Sequence, residues 1–182
     1  MTTKFATEFA TLINKPQMET FLLQDDTLIP NSRWPLLIYR RAVKLTAMDP
    51  AETFEELFAS NHWTNSWRDG IYPFHHYHST THEVLGVYNG SAEVQFGGEN
   101  GIVQKIYSGD VIVIPAGVAH KNRGGSEDFS VVGAYPDGKE WDINYGRLQE
   151  RPRANENLQR VELPRLDPVY GESGPLLRYW KM

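Results

Sequence analysis

Between residues 83 and 136 the chain is a succession of short apolar runs, each closed by a turn. Glu83 to Tyr88 ends at Asn89-Gly90, and Ser91 to Phe96 at Gly97-Gly98-Glu99-Asn100-Gly101. Ile102 to Tyr107 ends at Ser108-Gly109-Asp110, Val111 to Ile114 at Pro115-Ala116-Gly117, and Phe129 to Tyr135 at Pro136-Asp137-Gly138. Runs this short, rich in β-branched and aromatic residues, predict strands of an all-β sandwich or barrel. Ile102 to Tyr107 alternates apolar and polar, the mark of a half-buried strand, whereas Val111 to Ile114 is apolar throughout and predicts burial on both faces. Asn89-Gly90 predicts a tight hairpin that pairs Glu83–Tyr88 with Ser91–Phe96.

Upstream, Glu19–Leu23 and Leu36–Leu45 read as strands. A helix follows, with Asp49 as cap, Pro50 at its first position, Glu52 completing a capping-box pattern and Phe54, Leu57 and Phe58 at helical spacing; it should stop by Asn61 or His62. Residues 1–15 suit either a short helix or a loose arm. After Gly138 the periodicity fades. The stretch Arg147–Arg160 is polar enough for a solvated loop or short helix, and the prolines and aromatics from Leu163 to Trp180 predict packing against the barrel or a second subunit. The expected organisation is one domain over residues 1–182, with a barrel core at about 65–136, N-terminal strands and helix at 19–62 and a C-terminal packing segment at 139–182.

A formal charge of −5 argues against nucleic-acid and anionic-membrane partners, which need a basic surface. With no cysteine, disulfides and thiolate metal sites are excluded. The N-terminal residues lack a basic start followed by a long apolar core, and no apolar run approaches the roughly 20 residues of a membrane helix, so a cytoplasmic protein is expected.

Chemistry concentrates in Gly70–Gly90. If Tyr72–His78 is extended, His76 and His78 project from one face about 7 Å apart, close enough for both imidazoles to reach one metal at about 2.1 Å. A turn at Ser79–His82 would bring Glu83 alongside, sharing a face with Leu85 and Val87. Pro115 and Gly117 end the strand Val111–Ile114 and can aim His120 back at a neighbour. His76, His78, Glu83 and His120 are therefore the expected metal ligands. His82 could replace Glu83 if the turn ends later, and His75 reads as an outer-face residue or a partner that orients a ligand. Trp67, Tyr72, Phe74, Tyr88 and Phe96 could fill the barrel or line a pocket, and Lys121 and Arg123 could attract an anion or simply be solvated.

These residues carry a resemblance to the cupin superfamily. Gly70, His76, His78, Glu83 and Gly90 fit its first motif, G-x5-H-x-H-x4-E-x6-G, without a gap. Gly109, Pro115, Gly117 and His120 fit the second, G-x5-P-x-G-x-x-H-x3-N, except that Gly124 stands where the motif ends in Asn and the nearest Asn is Asn122. The flanks LLQDDTLIPNSRWPLLIYR and LPRLDPVYGESGPLLRYW are similar to those of the uncharacterised YjlB-like cupins. The resemblance implies a single jelly-roll barrel with one flanking helix and an extended C-terminal segment. It also implies a divalent transition metal (Fe, Mn, Ni, Co or Zn), a small-molecule ligand and pairing as a homodimer. A metal-dependent oxygenase, isomerase or decarboxylase acting on a small polar or carboxylated molecule is the leading expectation, with a non-catalytic small-molecule or metal-binding cupin as the alternative.

Overall fold

The computed structural model describes residues 11–45 and 48–181, so residues 1–10 of the expected arm or helix lie outside the described residues. Among the described residues nine strands run in chain order as β1 (Met18–Phe21), β2 (Leu36–Tyr39), β3 (Trp63–Asp69), β4 (Glu83–Asn89), β5 (Ser91–Phe96), β6 (Ile102–Tyr107), β7 (Val111–Ile114), β8 (His120–Gly125) and β9 (Ser130–Pro136). They form two antiparallel sheets, a six-stranded one ordered β1-β2-β7-β4-β9-β3 and a three-stranded one ordered β6-β5-β8. Among the described residues three short α-helices, rather than one, accompany them: α1 (Pro50–Ser60), α2 (Arg151–Leu158) and α3 (Leu176–Tyr179). At the start of α1, Asp49 Oδ1 accepts from the N–H groups of Ala51 and Glu52 at 3.0 and 3.1 Å, which satisfies donors that no helical carbonyl can reach.

The period-two pattern divides the core. Leu36, Ile38, Leu85, Val87, Ile112 and Ile114 face inward and pack against Val94, Phe96 and Ile106 of the smaller sheet. Leu37, Tyr39, Val84, Val111 and Val113 face the other way, toward Phe54 and Phe58 of α1 and toward Val169, Leu176 and Trp180 of the C-terminal segment. That segment is tied down by polar bonds as well. Tyr39 Oη donates to Asp167 at 2.7 Å, Asp167 accepts from the N–H groups of Val169, Tyr170 and Leu176, and Trp180 Nε1 donates to the Pro35 carbonyl. Arg40 bridges the two sheets, holding Glu19 of β1 with two bonds of 2.9 Å while reaching Gln104 and the Lys105 carbonyl of β6 and the buried Asp110.

Three sequence expectations are corrected. The Asn89-Gly90 turn does not close a hairpin. The strand β4 is buried along most of its length and takes the centre of the large sheet between β7 and β9, while β5 pairs with β6 and β8, so at Gly90 the chain crosses from one sheet to the other. The stretch Tyr72–His78 is not a strand paired with Glu83–Tyr88. Its backbone makes isolated bridges, His76 with His120 and Tyr77 with Asn144, and Pro73 has no N–H to offer a longer ladder. Finally, Leu36–Leu45 shortens to β2 because Arg41 takes a left-handed conformation (φ 48°) that ends it.

Candidate metal centre

His76 and His120 are locked by a pair of backbone bonds, His120 N to His76 O at 2.9 Å and His76 N to His120 O at 3.3 Å. Two residues on, His78 O accepts from the Gly117 N–H at 2.8 Å. The turn Pro115–Gly117 that aims His120 thus also holds the His78 backbone. Gly117 sits at φ +91°, and a Cβ there would lie 2.3 Å from the Asn31 carbonyl oxygen, so glycine is required. Each of His76, His78 and His120 offers a ring nitrogen within 4.8 Å of the others, and all three residues are buried.

Glu83 enters from the first position of β4, on the inward face with Leu85 and Val87. Its carboxylate lies 3.5 Å from His78 Nε2 and 3.3 Å from His120 Nε2. Tyr135 Oη donates to Glu83 Oε1 at 3.1 Å and itself accepts from Trp67 Nε1–H at 2.7 Å, which sets the carboxylate's orientation. Glu83 Oε2 is buried and receives no hydrogen bond.

The protonation of two imidazoles follows from their other nitrogens. His76 Nδ1 faces the Phe74 carbonyl at 3.3 Å, and His78 Nδ1 faces that of Asp142. A carbonyl only accepts, so Nδ1 carries the proton and Nε2 is left with its lone pair. Burial opposes a charge on all three rings. It lowers the pKa of His76 and lowers that of His120 well below the ordinary value, the latter reinforced by the neighbouring histidines. At His78 burial is outweighed by the Glu83 carboxylate, and the pKa rises. Two rings whose Nδ1–H is committed to a carbonyl, a third imidazole beside them and a buried carboxylate oxygen without a hydrogen bond are the donor set a divalent transition metal takes, so these residues fit such an ion.

Asp142, which has no motif around it, anchors the turn after His78. Its Oδ1 accepts from Ser79 N at 2.6 Å and from Thr80 N at 3.2 Å, and its Oδ2 accepts from Ser79 Oγ at 2.5 Å and Asn144 Nδ2 at 2.9 Å. Ser79 Oγ in turn accepts from Asn157 of α2. Beside the imidazoles lies a cavity of about 370 Å³, whose wall includes Trp67, Tyr72, Tyr135 and Trp141. Tyr135 and Trp141 escaped sequence reading, because one is an unremarkable member of an apolar strand and the other stands alone in an aperiodic stretch. Tyr88 and Phe96 lie elsewhere, and so do Lys121, whose ammonium is 3.5 Å from Glu99, and Arg123. His75 also faces Glu99, at 3.2 Å. His82 is turned away from the three histidines. Its Nδ1 accepts from the Ala116 N–H, its ring packs on Trp180 at 4.6 Å, and burial lowers its pKa to about 3.

A family model described as Cupin matches residues 51–140. The uncharacterized protein YjlB of Bacillus subtilis (strain 168) is 42% identical over 165 residues, spanning 90% of this chain and 97% of that protein. Solved structures with similarity include pumpkin seed globulin (21% identity, TM-score 0.38, 44% of this chain and 22% of the globulin) and the vicilin of Solanum lycopersicum (18%, 0.38, 74% and 37%). The chain therefore spans well under half the length of either seed protein. Its near-complete overlap with the Bacillus protein, the family match across β3–β9 and the buried histidine group agree that the chain is a cupin of the YjlB-like family.

Proposed function

We propose that His76, His78, Glu83 and His120 hold one divalent transition metal, Fe, Mn, Ni, Co or Zn, and that the protein is a metal-dependent enzyme acting on a small polar molecule by oxygenation, isomerisation or decarboxylation. The observation that carries this reading is the fixed state of the donors. Two Nδ1–H groups are committed to backbone carbonyls, and Glu83 Oε2 is buried without a donor, a state that a cation relieves. Bound there, the metal supplies Lewis-acid polarisation of a carbonyl and a lowered pKa for water. The chain supplies the rest. Tyr135 and Trp67 fix Glu83, the carbonyls of Phe74 and Asp142 fix two rings, and aromatic residues wall the adjoining cavity. The same reading takes the two sheets as the faces of a jelly-roll barrel in a single domain, cytoplasmic and paired as a homodimer.

Metal content tests it, measured on protein purified without chelator or nickel resin. About one ion per chain is expected, lost in both His76→Ala and His120→Ala; equal content in wild type and both variants would end the proposal. A second reading, a carrier that holds a small molecule without turnover, draws support from the cavity wall. Burial pushes the phenol of Tyr135, which lines it, far above its usual pKa, so that hydroxyl is not a ready proton shuttle. A ligand released chemically unchanged from metal-loaded protein after prolonged incubation in air would favour the carrier.

A further inference from the structure

The rings around the histidines restrict what can enter, and this inference rests on the metal reading above. Tyr72 stands edge-on to His76 with centroids 5.1 Å apart, and Trp141 lies 5.3 Å from His78. Both remain open to solvent, at 47% and 42%. Each is backed by another ring, so neither is free to fold away. Tyr72 stacks on Phe74 at 4.9 Å and 12°, and Trp141 lies nearly parallel to Tyr135 at 6.3 Å and 26°. Two supported and exposed aromatic surfaces therefore flank the metal-binding nitrogens.

Charge argues against a substrate anchored by its own anionic group. Among the described residues lining the cavity, Arg68 is the only Lys or Arg, and its guanidinium is committed to Glu55 and Asp49 through four hydrogen bonds. The lining carboxylates are Asp69 and Glu83. Apart from the metal, nothing charged draws an anion in, whereas ring stacking is available on both sides. A cavity of about 370 Å³ lies at the small end of ligand pockets, which run from about 300 to 1,000 Å³, and suits one or two fused rings.

We propose that the cavity selects a planar ring, aromatic or heteroaromatic, bearing an oxygen donor that reaches the metal, and that Tyr72 and Trp141 grip the ring. Benzohydroxamate and acetohydroxamate test this, because they share one metal-binding head and differ in the ring. Calorimetric titration of zinc-loaded wild type should show benzohydroxamate binding about tenfold more tightly. Each of Tyr72→Ala and Trp141→Ala should reduce that preference about three- to tenfold, with acetohydroxamate affinity and zinc content unchanged. Trp141→Leu, which keeps apolar area but removes the ring, should behave like Trp141→Ala; circular dichroism confirms the fold of each variant. A preference that is absent in wild type, or intact in all three variants, overturns ring selection while leaving the metal reading in place. Wild-type protein that takes up no zinc overturns the metal reading itself, and that failure shows before either hydroxamate is added.

Discussion

Removing the Asp142 carboxylate tests how the site is held. In Asp142→Ala the N–H groups of Ser79 and Thr80, the Ser79 and Thr80 hydroxyls and the Asn144 amide all lose an acceptor. A hydrogen bond to a charged group contributes about 1.5–3 kcal/mol, but the five are not additive and Asp142 is half-buried, so water can replace some of them. The expected loss is about 2–4 kcal/mol, which lowers the melting temperature by roughly 5–15 °C for a chain of this size. Urea unfolding should show a lower midpoint with an unchanged slope. The His78 Nδ1 bond goes to the Asp142 backbone carbonyl and survives in composition, but its position depends on the turn. Metal affinity should therefore fall about 10–100-fold, the usual cost of losing a partner behind a ligand. Asp142→Asn should lie between, since its amide keeps one acceptor oxygen and turns an N–H₂ toward existing donors. A variant with wild-type urea midpoint and wild-type metal affinity would refute the reasoning.

Other perturbations probe the frame. Gly133→Ala would place a Cβ 2.2 Å from Trp67 Cε2, so it should cost about 1–3 kcal/mol and shift tryptophan fluorescence as the bond from Trp67 to Tyr135 breaks; an unaltered spectrum and melt would contradict the packing. Tyr39→Phe removes the hydroxyl that donates to buried Asp167, and should lower stability by about 1–3 kcal/mol and speed protease cleavage in the C-terminal segment; unchanged cleavage would count against that anchor. The hydrogen bonds from Arg40 hold the Glu19 carboxyl below its ordinary pKa, so its contribution is present above the unfolded value and lost as pH falls through the folded one. Glu19→Gln should therefore flatten the decline in stability below about pH 4.3, measured by urea midpoints across acid pH, and an equally steep decline would exclude Glu19 as a source of it.

Much of the β framework was legible because its signal is local. Alternation in Ile102–Tyr107, the apolar run Val111–Ile114 and the turn residues after each strand are written in neighbouring positions, as is the Asp49-Pro50 helix start. The partner of each strand is not local. Asn89-Gly90 looks like a hairpin turn to any reading of its own residues, yet the burial of β4 on both faces puts it between β7 and β9, and only the whole sheet reveals that both its edges are taken. The histidine spacing and the Pro-x-Gly-x-x-His turn were visible. The carbonyls that set the ring tautomers, and Asp142 behind them, were not, because backbone acceptors have no residue type and a single aspartate in an aperiodic stretch carries no pattern.

That crossing at Gly90 bears directly on the site. Had β4 and β5 paired, Glu83 and His120 would belong to one sheet and meet only along it. Because the chain changes sheets, Glu83 projects inward from the six-stranded sheet while His120 begins a strand of the three-stranded one, and the acid and the imidazole meet across the space between them at 3.3 Å. His76 is carried by its bridge to His120, and His78 by the Gly117 and Asp142 anchors on either side. The donors thus come from both sheets and from a segment belonging to neither. Whatever holds the two sheets against each other, Arg40 included, also bears on the distance between carboxylate and imidazole, so the geometry of the site is a property of sheet packing as well as of the turn that Asp142 anchors.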